Sequence, residues 1–220
     1  MDRYPPIPPE LPPEPEGYNP DYFANRRYEL RLIRRKVDEG LTKQPIIEPL
    51  VHIWGIRGMG KSWLMRHLDA LYRFKPDEAT VSILVDFSKS QFSHWVPSTI
   101  TDLLQAVVDD IRIQLPEGKL QDVAQSELSA FQSELEEIGQ DSKRTPTHLS
   151  ETFVALICQL SRAVVPLLLF DTTEILDEDD FFWLESHLIE PIVRTDRVVV
   201  VVAGRKEIPR WREFGARQRL

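Results

Sequence analysis

Four short runs of apolar residues are separated along the chain by stretches in which apolar side chains recur every third or fourth position. The runs are Leu50-Val51-His52-Ile53-Trp54, Val81-Ser82-Ile83-Leu84-Val85-Asp86-Phe87, Val164-Val165-Pro166-Leu167-Leu168-Leu169-Phe170 and Arg197-Val198-Val199-Val200-Val201-Val202-Ala203. Each has the length and the unbroken hydrophobicity of a strand covered on both faces. Pro166 stands at the start of the third, where its missing N–H costs least. Between the runs, the helical periodicity predicts an entry helix from Tyr22 to Val37, with Leu30, Ile33 and Val37 on one face and Gly40 as its terminator. A second helix is expected over Ser62 to Tyr72. A third, capped by Ser98, carries Ile100, Leu103, Leu104, Val107, Val108 and Ile111 at i, i+3, i+4, i+7, i+8 and i+11. Thr147 caps a fourth with Phe153, Val154, Leu156, Ile157 and Leu160, and a fifth runs from Glu178 to Val193. Apolar strands alternating with amphipathic helices predict an α/β fold of three layers around a mostly parallel sheet.

Two segments fall outside this alternation. Residues 1–21 hold most of a dense proline run, with eight of the 17 prolines in the first twenty residues. Such a run favours polyproline II and builds no core, so it reads as a disordered or strap-like tail before a domain over 22–220. Residues 115–145 are polar and acid-rich with weak periodicity, which predicts a solvated helical insertion or excursion and not a core element.

Composition narrows the class. A chain of 220 residues with 42% hydrophobic content is long enough for one substantial core. Its single cysteine, Cys158, excludes an internal disulfide, fits a reducing compartment and reads as a small buried core residue. No apolar run reaches the roughly 18 to 20 residues of a membrane helix, and the N-terminus lacks a signal-peptide pattern, so a cytoplasmic location is expected. The net charge of -8 argues against direct nucleic-acid binding by this segment. Most of it lies between Asp102 and Glu151, where eleven acids face four bases. Arg26, Arg27, Arg31, Arg34, Arg35 and Lys36 form a basic cluster, either a solvated helix face or a phosphate or partner contact.

The chemistry sits at the strand ends. Gly55-Ile56-Arg57-Gly58-Met59-Gly60-Lys61-Ser62 follows the first strand and opens the second helix, matching G-x-x-x-x-G-K-[ST] at every fixed position. The glycines let the backbone wrap phosphate oxygens, so that amides and the helix N-terminus face an anion. Lys61 adds a point charge at the β and γ phosphates, and Ser62 offers its hydroxyl to Mg²⁺. Arg57, Met59 and Trp63 complete the expected contact set. At the end of the third strand, Asp171 is the candidate carboxylate for the magnesium shell. Glu174 is read either as the group that polarises an attacking water or as a surface carboxylate. After the fourth strand, Arg205 either faces the phosphates, where it reads or stabilises γ-phosphate charge, or pairs with Asp171 or the acids from Asp177 to Asp180. The five histidines show no paired metal-ligand spacing.

Taken in order, the Gly55 to Ser62 loop, Phe170-Asp171-Thr172-Thr173-Glu174 and Val202-Ala203-Gly204-Arg205 resemble a STAND-type P-loop ATPase, one of the signal-transduction ATPases with numerous domains, related to the AAA+ and NACHT groups. Asn25-Arg26-Arg27-Tyr28-Glu29-Leu30 is similar to that family's G-R-E-x-E-L entry motif, departing from it at Asn25 and Arg27. The resemblance implies Arg26 as a nucleotide contact, the strand order 5-1-4-3-2 with its fifth strand missing or incomplete here, and no lid domain within this chain. It also implies an ATP/ADP switch with slow Mg-dependent hydrolysis, in which the ATP state drives self-association or partner binding. The alternative is a nucleotide-gated module without turnover, because Thr172 occupies a place where many P-loop ATPases carry a second acid.

Overall fold

The computed structural model describes residues 26–73, 79–88, 97–115, 119–140 and 147–205. The proline run, residues 22–25 of the entry segment and everything after Arg205 lie outside the described residues.

Chain order is α1 (Arg27–Leu41), β1 (Leu50–Trp54), α2 (Lys61–Tyr72), β2 (Thr80–Asp86), α3 (Pro97–Gln114), α4 (Lys119–Gln140), α5 (Thr147–Leu160), β3 (Val165–Asp171), α6 (Glu178–Leu184), α7 (Glu190–Val193) and β4 (Val199–Gly204). The four strands form one parallel sheet in the order β1-β4-β3-β2, which matches the expected order for the strands described. Each of the four apolar runs forms a strand, with boundaries shifted by two residues at most.

Side chains alternate across each strand, so one strand feeds two cores. Val165, Leu167 and Leu169 of β3, with Val199, Val201 and Ala203 of β4, pack under Ile33 and Val37 of α1 and Leu64, Met65 and Leu68 of α2. Leu168 and Phe170, with Val200 and Val202, face the other way, toward α3, α5, α6 and α7. Helices therefore cover both faces of the sheet, and the chain has the three-layer α/β P-loop fold. Every position of the α3 stripe from Ile100 to Ile111 that the periodicity singled out is buried.

Four local expectations change. Residues 119–140 form a helix broken at Ala124, and Ala124, Leu128 and Phe131 are buried in the core against α5. The apolar spacing of i, i+4, i+7 was present, but the surrounding acids masked it. Gly40 does not terminate α1, which runs on to Leu41. Its hydrogen is needed for close packing, since a Cβ there would lie 2.9 Å from Val165 Cγ2 and 3.1 Å from Ile46 Cδ1. The helix from Glu178 opens into a π turn at Glu185–Ile189 before closing as α7. Cys158 is only half-buried, its Sγ 3.0 Å from Thr195 Oγ1.

The basic cluster resolves into two kinds of site. Arg34 and Arg35 make exposed i, i+4 ion pairs with Asp38 and Glu39, which contribute little to stability. Lys36 is buried instead, donating to the carbonyls of Ile47 (3.1 Å) and Glu48. Burial pulls its pKa below the usual lysine range, partly offset by Glu48 and Glu39.

The β2 edge is closed by a side chain. Gln114 Oε1 accepts from Ser82 N at 3.0 Å while its Nε2 donates to Ser82 O at 2.5 Å and to Asp110 Oδ2 at 3.0 Å. One amide thus pairs both backbone groups of an edge residue, as a neighbouring strand would.

Gly40→Ala should destabilise the fold by about 1–3 kcal/mol, measured by urea unfolding, because Val165 is β-branched and cannot move away. The roughly 1 kcal/mol gained from helix propensity would not offset it. An unchanged or raised midpoint would show that the α1–β3 contact yields more easily than its geometry implies.

Candidate functional site

The turn from Gly55 to Gly60 leaves the end of β1 and delivers the chain into α2. Gly58 (φ 86°) and Gly60 (φ 73°) lie in the left-handed region, which side chains with a Cβ enter only at a cost. A Cβ at either position would meet nothing within 4 Å, so the glycines answer a backbone requirement beside open space and not a packing one. Lys61, the first residue of α2, folds back beneath the turn. Its Nζ donates to the carbonyls of Gly55 (2.7 Å) and Ile56 (3.1 Å), and the residue is buried. The loop is thus a concave backbone with an ammonium at its base.

Asp171 closes β3 and is 2% exposed. It accepts from Thr172 N at 2.8 Å and has Ser62, in the first turn of α2, beside it. Burial raises its pKa above the ordinary carboxylate value; the Ser62 hydroxyl and the Thr172 amide oppose this, while the charges of Asp86 and Glu174 add to it. The two residues expected to hold magnesium are therefore neighbours. Mg²⁺ takes one or two carboxylates together with phosphate oxygens and water, and Ser62 with Asp171 fits that donor set. Among the described residues, no three His, Cys, Asp or Glu side chains gather as a protein-only metal cage.

After Asp171 the chain turns sharply. Thr172 adopts φ 60°, an outlier for a β-branched residue, and starts a single 3₁₀ turn, Thr173–Ile175. Thr173 Oγ1 donates to Ala203 O at 3.1 Å and stitches this turn to β4. A Cβ at Gly204 would lie 2.8 Å from that hydroxyl oxygen, which accounts for the glycine. The closeness of the two strand ends brings Glu174 Oε1 to 2.7 Å from Arg205 Nε. Glu174 is mostly buried and its Oε2 has no hydrogen-bond partner among the described residues, whereas Arg205 is half exposed.

Arg205 therefore takes neither salt bridge considered from the sequence. It does not pair with Asp171, and Asp177 caps α6, accepting from Asp180 N at 2.9 Å. Its ion pair joins the two residues expected to act on the γ phosphate, and Glu174 is not a free surface carboxylate.

Arg26 reaches the same place from the other end of the chain. Just ahead of α1, it donates to Glu29 at 2.5 Å and to the carbonyl of Met59 inside the glycine turn. Arg57 and Met59 are exposed at the tip of the turn, and Trp63 is half-buried in the first turn of α2. Ile56 and Trp54 add exposed apolar surface beside them.

Asp86 was not singled out from the sequence. It ends β2 in register with Asp171 on β3 and is buried. Its Oδ1 accepts from Ser88 N (3.0 Å), Ser88 Oγ (2.6 Å) and Thr172 Oγ1 (3.4 Å), and Arg66 Nη2 lies 3.8 Å from its Oδ2. The signal was present: Ile83-Leu84-Val85-Asp86 repeats the pattern of Leu168-Leu169-Phe170-Asp171, an apolar run ending in aspartate. Extending the second strand one residue further, to Phe87, hid it.

No protein-family model and no curated protein matches the chain. Solved structures similar to it include Caenorhabditis elegans PCH-2, at 18% identity and a TM-score of 0.40 over 88% of this chain and 39% of that one. Another is the Walker-type ATPase PABY2304 of Pyrococcus abyssi, at 19% identity and a TM-score of 0.44 over 81% of this chain and 44% of that one. The chain spans less than half the length of either protein. Among the described residues, no helix is long and apolar enough to cross a membrane.

Asp171→Asn should raise the thermal midpoint of the nucleotide-free protein near neutral pH, because the parent buries a carboxylate whose charged form is disfavoured there. A raised folded-state pKa means that this cost is present above the group's titration range and disappears as pH falls through the raised value. The gap between variant and parent should therefore narrow on acidification. A midpoint that falls at neutral pH would show the Thr172 amide and the Ser62 hydroxyl outweighing burial.

Proposed function

We propose that the chain binds a magnesium nucleoside triphosphate, ATP, in the Gly55–Ser62 turn and acts as a slowly hydrolysing, nucleotide-controlled switch of the STAND type. The observation that carries this reading is the left-handed turn over a buried ammonium, followed at once by Ser62 beside the buried Asp171. Backbone amides from Gly58 to Ser62 and the start of α2 attract phosphate oxygens. Lys61 exchanges its carbonyl partners for the β and γ phosphates. Ser62 and Asp171 hold Mg²⁺, which supplies neutralisation of charge on the phosphates when bound. Arg26, anchored on Met59, ties the entry segment to the loop, so nucleotide occupancy is felt by α1.

Glu174 is the candidate for orienting water, and Arg205 for sensing the γ phosphate. Their ion pair makes the two roles interdependent, because Glu174 Oε1 is open to a water only once Arg205 no longer engages it. A triphosphate that draws Arg205 away would free it. The same pair favours the second reading, a nucleotide-gated assembly module with little turnover, since Glu174 is held in an ion pair and Thr172 supplies no second acid. In either reading the ATP state promotes self-association or capture of a partner protein, and the ADP state does not.

Lys61→Ala should weaken ATP binding by about ten- to a hundredfold, the equivalent of one charge-assisted contact, by calorimetry with magnesium. Equal affinity in variant and parent would sink the phosphate assignment. Glu174→Ala should leave binding within a few-fold and cut phosphate release by roughly a hundredfold. Recording phosphate release beside mass in solution separates the readings: a switch that hydrolyses shows both signals, whereas the module changes mass with ATP and releases no phosphate.

A further inference from the structure

We propose that Asp86 is a positioning residue for Asp171, keeping that carboxylate in place for the metal-bound nucleotide; the proposal rests on the nucleotide reading above. The argument begins with spacing. Neighbouring strands lie about 4.8 Å apart, and residues i and i+4 of a helix present side chains about 5–6 Å apart. Asp86 and Asp171 are in-register partners at the ends of β2 and β3. One turn apart on α2, Ser62 stands beside Asp171 and Arg66 pairs with Asp86. One helix face is thus keyed onto two strand-end carboxylates, and the helix is the one that begins at the phosphate loop.

Thr172 completes the connection. Its amide donates to Asp171 Oδ1 at 2.8 Å and its hydroxyl to Asp86 Oδ1 at 3.4 Å, so a single residue bridges both acids. It does so in the left-handed conformation, at φ 60°. A β-branched residue stays there only when its surroundings hold it. Asp86 helps to supply that hold, with its position fixed in turn by Ser88 and Arg66. The buried carboxylate at the end of β2 therefore acts on the metal through Thr172 and Asp171 and does not touch the nucleotide.

The test compares ATP affinity with Mg²⁺ and with EDTA, by calorimetry, in the parent and in Asp86→Asn, Thr172→Val and Thr172→Ser. The expected result is that Asp86→Asn and Thr172→Val lose about tenfold of the magnesium enhancement with unchanged affinity in EDTA, while Thr172→Ser retains it. Magnesium enhancement equal to that of the parent in Asp86→Asn and Thr172→Val overturns the role of Asp86 and leaves the nucleotide site standing. An equal loss in magnesium and in EDTA also overturns it, since that marks a general packing defect. Because Val and Ser differ at the hydroxyl, their contrast decides the matter even where Asp86→Asn fails to fold. No nucleotide binding by the parent in either medium overturns both the proposal and the reading beneath it.

Discussion

The end of β3, where Asp171 is buried, meets the first turn of α2, where Ser62 stands beside it, and the rest of the site is arranged around that junction. It requires a carboxylate withdrawn from water, which a sheet covered on both faces provides at its strand ends. It also requires a helix that starts beside that strand end, which the glycine turn after β1 provides. The carboxylate is held at a cost, because burial favours its protonated form.

The same sheet geometry gathers groups that are far apart in the chain. Asp86, Asp171 and Arg205 end or follow three adjacent strands, and parallel pairing sets them side by side. Thr173 draws the turn after β3 onto β4, and with it Glu174 onto Arg205. The consequence is a site whose charges are already paired with one another: Lys61 with loop carbonyls, Glu174 with Arg205, Asp86 with Arg66. Under the proposed reading, nucleotide binding would exchange these partners, so affinity would depend on the difference between two sets of contacts. Under the same reading, that dependence would let a small change of ligand, such as one phosphate, alter the protein's state.

Legibility in the sequence followed the strength of the local constraint. The left-handed turn was readable because only glycine is tolerant there, and Gly58 and Gly60 stand with Lys61 and Ser62 in a spacing that has a chemical reason. The strands were readable because burial on both faces leaves an unbroken apolar run. The α4 stripe of Ala124, Leu128 and Phe131 was obscured because a helix covering one core face still exposes its acids to water, and the acids dominate the composition. Gly40 read as a helix end because sequence does not distinguish a glycine kept for conformation from one kept for the space it leaves.

Pairings across the sheet belong to a different level. Local sequence established that Asp171, Glu174 and Arg205 follow strand ends, since each comes just after an apolar run. Only the tertiary structure decided that Arg205 meets Glu174, that Asp86 stands beside Asp171, and that Arg26 reaches Met59. The physical reason is that such contacts depend on strand order and register, which arise from packing among residues distant in the chain. Backbone conformation and hydrophobic pattern are properties of neighbours, and the sequence determined those by itself.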